Sequence, residues 1–292
     1  MSELHWVVGN ATVTPVVESD AALPAAGFFP MSTPEALARH EEWLAPWALG
    51  PEATIRISIQ ALCVRSEGQR IVVDTCVGQR PLPEMYAAMS NDGTFLNALS
   101  EAGFAAESVD VVICTHLHFD HVGWNTRWED GRWVPTFPNA RYVLARAEYE
   151  HWRDATPEAR AGASAITFDD AVAPLFDFGV VDLVDVDHRV TGEVSLVPTP
   201  GHSPGHVSVR IRSAGAEAII TGDCVHSPVQ LAEPEWGIVV DSDPQQSCAT
   251  RTALVAECID RDVLVIGTHF PPPTAGHVVS GPDGSPRFRP LA

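Results

Sequence analysis

Three histidines and an aspartate stand within six consecutive residues of the run THLHFDHVG, Thr115 to Gly123, directly after the apolar run VDVVIC. Histidine and aspartate are costly to bury, so a folding chain has little reason to cluster them unless they bind something. Zinc and its first-row neighbours take imidazole nitrogen and carboxylate oxygen as ligands. His116 and His118 point the same way if the segment is extended, because side chains alternate along it. The cluster therefore predicts a metal site at the end of a buried strand.

The same arrangement recurs at three later points of the chain. The apolar runs EVSLVPTPG, EAIITG and DVLVIGT lead into His202, Asp223 and His269, respectively. A single histidine or aspartate at a strand end is ordinarily a hydrogen-bonded or turn-capping residue. Four strands that each deliver a metal-competent side chain can instead converge on one edge of a sheet. The candidate ligands are His116, His118, Asp120, His121, His202, Asp223 and His269.

Apolar runs rich in β-branched residues recur throughout the chain and predict strands, many of them ending in Gly, Pro or Asp. RSEGQR predicts a hairpin turn with Gly68 at positive φ. Helical periodicity occurs in TPEALARHEEWLAPWA, with Thr33 as N-cap, in DGTFLNALSEAGF, ending at Gly103, in LARAEYEHWRDA and in DPQQSCATRTALVAECIDR. The last of these should be the longest and most amphipathic helix. Strands in blocks with helices between them favour two mostly β layers covered by helices.

Composition limits the classes of function. The net charge of −20, from 18 basic and 38 acidic residues, disfavours nucleic acid and anionic lipid as partners. Apolar runs are shorter than the roughly 20 residues that cross a bilayer, and the first residues do not resemble a signal peptide. The six cysteines include no C-x-x-C pair, which favours reduced, mostly buried thiols in a cytoplasmic protein.

The ordered ligand set resembles the signature of the metallo-β-lactamase superfamily, H-x-H-x-D-H followed by a distant His, an Asp and a last His. The resemblance begins near Asp74, in RIVVDT, and implies a single domain over residues 1–292 with an αββα sandwich, two mixed β-sheets flanked by helices. It also implies a dinuclear centre in which His116, His118 and His202 hold one ion, Asp120, His121 and His269 hold the other, and Asp223 bridges them. Asp74 matches a family carboxylate that orients a ligand.

Two branches of the superfamily resemble this chain. THLHFDHVG and TPGHSPGH resemble the N-acyl-homoserine-lactone lactonases, whereas GDCVHSPVQLAEPEWGIVVDSDPQQ resembles the branch with methyl-parathion hydrolase. Trp124 stands where the lactonases usually have a second glycine. His226 occupies the position of a lactonase tyrosine whose hydroxyl reaches the substrate's carbonyl oxygen. His151, His188, His206 and His277 match no ligand position.

These residues predict a hydrolase with two divalent metal ions, Zn²⁺ first and Mn, Co or Fe as alternatives. Two cations about 3.5–4 Å apart share and acidify one water for attack on a lactone or related ester carbonyl. The predicted catalytic residues are Asp120, as ligand and proton carrier, and His226, as oxyanion donor. The alternative is a phosphotriesterase or arylesterase of the methyl-parathion-hydrolase type. An iron-dependent oxidoreductase, a glutathione thioesterase and a non-catalytic binding module are less favoured.

The aromatic-rich segment from Ala21 to Leu49 has two interpretations. It is either a wall of an apolar substrate pocket, joined by Trp124, Phe137 or Trp236, or an interface or core patch. Residues 21–50 are accordingly predicted as a pocket-wall or interface segment. The predicted partners are a small, neutral, apolar substrate and a second copy in a homodimer.

Overall fold

Two β-sheets pack face to face because the inward residues of both are aliphatic. In the computed structural model, which describes residues 4–84, 89, 93–162 and 164–291, Val64 and Ile113 of the first sheet meet Val209 and Ile220 of the second in one buried cluster. Strands β1 to β6, β9 and β10 form the first sheet, in the order β1-β2-β4-β5-β6-β9-β10 with β3 beside β4. They are β1 (Trp6–Val8), β2 (Ala11–Pro24), β3 (Leu49–Gly50), β4 (Thr54–Ser66), β5 (Gln69–Val73), β6 (Val111–Cys114), β9 (Arg141–Ala145) and β10 (Val181–Val184).

The second sheet runs in sequence order from β11 to β16, with only the β13–β14 pair parallel among its described pairings. Its strands are β11 (Val194–Pro198), β12 (Val207–Ser213), β13 (Ala216–Ile220), β14 (Val263–Ile266), β15 (Ala275–Ser280) and β16 (Pro286–Pro290). A separate hairpin pairs β7 (Thr126–Glu129) with β8 (Arg132–Pro135).

Helices cover both outer faces of the sandwich. Leu99 and Trp152 pack on the first sheet, and Leu254 and Val255 pack on the second. The αββα sandwich with two mixed sheets is therefore confirmed. The helices are α1 (Ala25–Phe28), α2 (Pro34–Ala38), α3 (Glu41–Leu44), α4 (Phe95–Glu101), α5 (Phe119–Val122), α6 (Arg146–Asp154), α7 (Pro157–Gly162), α8 (Ala173–Asp177), α9 (Val229–Ala232) and α10 (Pro244–Cys258).

Local signals in the sequence are mostly confirmed. The Thr33 hydroxyl accepts from the backbone N–H of Ala36, and Gly68 and Gly103 adopt φ of +83° and +80°. The run from Thr33 to Ala48 is not one helix: α2 and α3 are separated at His40, whose ring packs on Trp236 and bonds Glu233. That tertiary contact holds the break.

Helix α10 is the longest in the described part of the chain, as predicted. The prediction that it is the most amphipathic is wrong, because its buried face includes the polar residues Ser247 and Arg251. Among the described residues, no helix has both the length and the apolar character to cross a bilayer.

Strand register brings the candidate ligands to one edge. In the parallel pair β13–β14, Ile220 lies beside Ile266, so Asp223 and His269 follow their strands at the same offset. The backbone N–H of Val207, at the start of β12, donates to the carbonyl of Thr115 and so joins the two sheets there. Ligands from both sheets therefore meet at this edge of the sandwich.

Candidate metal centre

The seven candidate ligands lie together in two groups. The three-histidine group comprises His116, His118 and His202, and their ligand atoms lie with one of Asp223 within 4.8 Å of one another. The Asp120 group comprises Asp120, His121 and His269, with ligand atoms equally close. Asp120 is half-buried and the other six are buried.

The carboxylate of Asp223 faces both groups. Its Oδ2 lies 3.6 Å from Nε2 of His116 and 3.3 Å from Nε2 of His202. Its Oδ1 lies 3.2 Å from Nε2 of His121 and 3.1 Å from Nε2 of His269. One carboxylate with an oxygen turned to each group has the geometry of a bridging ligand.

Four histidines turn Nε2 inward because their Nδ1 atoms have other partners. Such a partner fixes the tautomer and the ring orientation of a metal-binding histidine. The Nδ1 partners are Thr115 Oγ1 for His116 at 3.1 Å, Asp74 Oδ2 for His121, Asp241 Oδ1 for His202 and the Ser58 carbonyl for His269, the last three at 2.9 Å. His118 is reversed: its Nδ1 faces Nε2 of His202 at 2.9 Å. Asp74 thus orients His121, a candidate ligand, in the way that the resemblance implied.

The donor set fits divalent first-row ions. Nε2 of His116 is buried and has no hydrogen-bond partner among the described residues, although it points into the cluster. Burial, reinforced by neighbouring histidines, holds the pKa values of His116 and His118 well below their usual range. Both imidazoles are therefore neutral, which is the form that binds a metal ion.

At two other histidines of the cluster, neighbouring carboxylates raise the pKa instead. Burial alone would lower the pKa of His202, but Asp223 and Asp241 outweigh it and raise the pKa to about 9. Likewise, the pKa of His121 is raised despite burial, chiefly by Asp223 and Asp120. Burial would raise the pKa of Asp223, yet His121 and His269 hold it well below the usual range. Protons and cations therefore compete for the same inward-facing nitrogens.

His226 folds back over the cluster, after a short 3₁₀ turn at Gly222–Cys224. Its Nε2 lies 3.0 Å from Oδ2 of Asp223, and its ring lies parallel to that of His269 at 5.6 Å. Nδ1 is buried without a hydrogen-bond partner in the described part of the chain. Burial lowers the pKa of His226, so the imidazole is neutral and carries one N–H.

His206 lies beneath Asp223 and outside both groups. Its Nε2 accepts the backbone N–H of Asp223 at 2.9 Å, and its Nδ1 lies 2.8 Å from Oγ1 of Thr199. Burial lowers its pKa to about 3. His206 therefore supports the shared carboxylate without being placed as a ligand. His151 and His188 are exposed, and His277 bonds the carbonyl of Val263.

Two further carboxylates support the three-histidine group, and sequence reasoning missed both. Asp241 bonds Nδ1 of His202 and lies 3.6 Å from Nη1 of Arg251, with both side chains fully buried. Glu148 of α6 is buried and accepts hydrogen bonds from the loops that carry the histidines. A lone glutamate on a helix and an aspartate two residues before a helix N-cap give no signal that separates them from ordinary surface residues.

The aromatic residues expected at the pocket divide into two sets. Trp124 and Phe137 lie in the core of the first sheet, where Trp124 stacks on Phe95, so the prediction that they wall a pocket is wrong. Trp236 packs with Phe29 in a cluster that joins the Ala21–Leu49 segment to the loop after His226. From this segment, the ring of Phe28 reaches within 5.6 Å of the His226 ring.

Comparison with known families gives one assignment. The family model described as the metallo-beta-lactamase superfamily matches residues 57–269, which include all seven candidate ligands.

Curated relatives include N-acyl homoserine lactonases. One from Bacillus sp is 30% identical over 125 residues, 43% of this chain and 42% of the relative. AiiA from Bacillus thuringiensis subsp. kurstaki is 25% identical over 195 residues, 59% of this chain and 66% of the relative. The matched region thus spans between 42% and 66% of these relatives' length.

Similar solved structures cover the whole fold. The hydrolase AbOPH of the beta lactamase superfamily has a TM-score of 0.81 at 25% identity, covering 99% of this chain and 97% of its own. The dizinc quorum-quenching lactonase AidC has a TM-score of 0.79 at 20% identity, covering 100% and 99%.

Proposed function

The chain belongs to the metallo-β-lactamase superfamily, and from that premise we propose that it is a dinuclear-metal hydrolase of lactones or related esters. The proposal goes beyond the family, because members of a fold family need not share a substrate. Its support comes from the geometry of the candidate ligands, the aromatic ring of Phe28 beside His226 and the lactonase relatives.

The observation that carries the proposal is the position of Asp223. A carboxylate with both oxygens within 3.1–3.6 Å of inward imidazole nitrogens suits two ions held side by side. The three-histidine group would hold one ion and the Asp120 group the other, with Asp223 shared. We propose Zn²⁺ for both, with Mn, Co or Fe as alternatives. When bound, such a pair acidifies water and polarises the scissile carbonyl or phosphoryl oxygen.

Asp120 is the proposed proton carrier. Its side chain is 16% exposed, whereas those of His121 and His269 are at most 4% exposed, so it borders the open side of the cluster. A carboxylate in this position accepts a proton from the attacking water and passes it to the leaving oxygen.

His226 is the proposed oxyanion donor. A neutral imidazole has one N–H: on Nε2 it donates to the Asp223 carboxylate, and only on Nδ1, which has no protein partner among the described residues, is it free for an oxyanion. An N–H aimed at a developing oxyanion contributes about 3 kcal/mol, or roughly a hundredfold in rate. The 3.0 Å contact of Nε2 with Asp223 gives a competing role, in which His226 orients the shared carboxylate.

We propose a neutral, apolar substrate. The Phe28 ring lies against His226, and the segment that carries it is packed on Val229, Trp236 and Ile238. The net charge of −20 disfavours anionic substrates. Phosphotriesters and aryl esters share the neutral, apolar character and remain the second candidate class.

Metal analysis and a substrate panel test the proposal together. We expect about two divalent ions per chain, activity lost on chelation and regained with zinc, and highest kcat/KM on lactones within a panel of lactones, aryl esters, phosphotriesters and β-lactams. A ratio that stays near one when metal is added would exclude the dinuclear site. Preference for phosphotriesters would favour the second class, and iron charge-transfer bands with redox turnover would refute hydrolysis.

His226→Ala separates the two roles of that residue. As oxyanion donor, its loss lowers kcat about ten- to a hundredfold and leaves metal content intact. His226→Tyr should retain part of the activity. If metal content falls together with kcat, His226 acts through Asp223, and full turnover by His226→Ala would make the residue structural.

A further inference from the structure

Glu148 accepts four hydrogen bonds from three separate segments. The residue lies on α6, is 1% exposed, and all four donors are neutral groups. Oε1 accepts from the Leu117 backbone N–H at 3.2 Å and Trp152 Nε1 at 2.6 Å; Oε2 accepts from Ser203 Oγ and the Gly205 backbone N–H, both at 2.8 Å.

Three of the four donors belong to the two loops that carry the three-histidine group, and the fourth, Trp152, lies on α6 itself. Leu117 stands between His116 and His118, and Ser203 directly follows His202. One carboxylate thus connects the loop after β6, in the first sheet, with the loop after β11, in the second. The ring of Trp152, which donates to the same carboxylate, lies 5.8 Å from the His118 ring.

Anchoring α6 to the first sheet does not require a buried carboxylate. A buried charge is costly to desolvate, and apolar residues of similar volume hold helices in place at lower cost. Four directional hydrogen bonds, by contrast, fix the positions of their donors relative to one another. The loop and the helix are also in direct backbone contact, since a Cβ on Gly205 would lie 2.1 Å from the backbone nitrogen of Glu148.

We propose that Glu148 is a positioning residue for the metal centre, which sets the spacing of His116 and His118 relative to His202 before any ion binds. The inference rests on the proposed dinuclear site and assigns a cause to half of its geometry. The Asp120 group lies outside this network, because its histidines have Asp74 and Ser58 as Nδ1 partners.

Glu148→Gln tests the proposal with little change of shape. A glutamine amide offers one acceptor oxygen, so its NH₂ group must face either the Ser203–Gly205 loop or the Leu117–Trp152 pair. Ser203 Oγ can accept from that NH₂, but the Gly205 N–H then loses its acceptor. Loss of a carboxylate bonded directly to a metal-binding histidine typically weakens metal binding 10–100-fold. Glu148 acts one contact further out, on the segments beside the histidines, so a loss of about tenfold is expected. We expect this loss of affinity for the ion that the three-histidine group would hold and not for the other ion. Competition with a chromophoric chelator measures both affinities.

A measurement without metal separates positioning from anchoring. In the metal-free variant, amide hydrogen exchange should become faster at residues 115–118 and 201–206. If Glu148 merely anchors α6, faster exchange would be confined to that helix and both metal affinities would match the parent. Glu150→Gln, exposed on the same helix, is the matched control and should bind both ions like the parent.

Ser203→Ala keeps the charge and removes one donor, and it covers the case in which Glu148→Gln fails to fold. It should lower the affinity for the same ion, but by less than Glu148→Gln does. The proposal would be overturned if folded Ser203→Ala binds both ions like the parent and Glu148→Gln either does the same or misfolds. A parent that binds no metal would instead overturn the proposed function.

Discussion

The two halves of the ligand cluster are held in place by different parts of the fold. Outside the three-histidine group lie carboxylates on α6 and on the loop before α10, namely Glu148 and Asp241. The Asp120 group rests on the first sheet itself, through Asp74 directly after β5 and the carbonyl of Ser58 within β4. Asp74 also accepts from the Thr115 hydroxyl, which lies 3.1 Å from Nδ1 of His116, so it reaches one histidine of the other group as well.

This difference affects how each half responds to mutation. A strand carbonyl is fixed by the sheet and cannot be removed by a side-chain substitution, so His269 should keep its orientation in most variants. A buried carboxylate on a loop can be replaced or displaced, and the histidine it orients then loses its tautomer and position. We therefore expect the three-histidine group to be the more sensitive half.

The largest effect should come from the residue that both halves share. Asp223→Ala removes the oxygens that face His116 and His202 on one side and His121 and His269 on the other. We expect metal content to fall at both positions and kcat/KM to fall about 10³-fold or more, since several kcal/mol of transition-state stabilisation depend on the ions. Metal analysis and steady-state kinetics on folded protein measure both.

His206→Ala is the comparison variant for Asp223→Ala. It removes the acceptor for the Asp223 backbone N–H but leaves the carboxylate, so the loss of activity should be smaller. Equal losses at unchanged folding would contradict the assignment of Asp223 as the shared ligand.

The second prediction compares the two orienting aspartates. Asp74→Asn puts an amide beside Nδ1 of His121 and favours the tautomer with a proton on Nε2, which cannot bind metal. Asp241→Asn has that effect on His202 and also leaves buried Arg251 without its carboxylate, at a cost of about 3–5 kcal/mol. Each should lose about 10–100-fold in affinity for the ion held by the histidine that it orients, and Asp74→Asn should weaken binding of the other ion by less, through Thr115 and His116. Only Asp241→Asn should also be strongly destabilised.

The double variant Asp241→Asn/Arg251→Met checks this reasoning. Removing the unpaired guanidinium should restore much of the unfolding free energy without restoring metal affinity. If metal affinity returns together with stability, Asp241 acts through folding alone. Chemical denaturation of the metal-free proteins measures the stability, and chelator competition measures the metal affinity.

The sequence predicted more of the ligands than of their supports, for a physical reason. A candidate ligand such as His202 or Asp223 follows its apolar strand within four residues, so its place at the sheet edge is encoded locally. Glu148 and Asp241 act across distances of 55 and 39 residues, which no local pattern encodes.

The layered fold was predicted because strand runs are long and apolar. The break in the helix predicted from Thr33 to Ala48 was not predicted. Helices α2 and α3 separate at His40 because of its contacts with Glu233 and Trp236, far along the chain. The β7–β8 hairpin was missed as well, since RWEDGRWVP has no long apolar run. Trp124 was expected at a pocket, but tertiary packing on Phe95 placed it in the core.

The smallest expected effect concerns Glu18, on the Asp120 side of the centre. The register of β2 against β4 shifts between Val17 and Ser19, and this bulge turns Glu18 inward. Its carboxylate accepts from the N–H groups of Val77 and Gly78 and from the indole of Trp124, next to the turn that bears Asp120 and His121. Burial raises the pKa of Glu18 to about 7.

The raised pKa gives a pH dependence of definite sign. Between pH 4.5, the ordinary value, and pH 7, folded protein keeps a proton that the unfolded chain has released, so stability falls as pH rises through this window. Glu18→Gln mimics the protonated acid and should flatten that part of the profile, whereas the exposed Glu107→Gln should not. Denaturant unfolding of the metal-free proteins at several pH values gives a difference curve, which is the unfolding free energy of the parent minus that of Glu18→Gln at each pH. A curve that is flat, or that rises with pH, would mean that the three N–H donors outweigh burial and keep Glu18 ionised, making it a fixed anionic support for the Asp120 group.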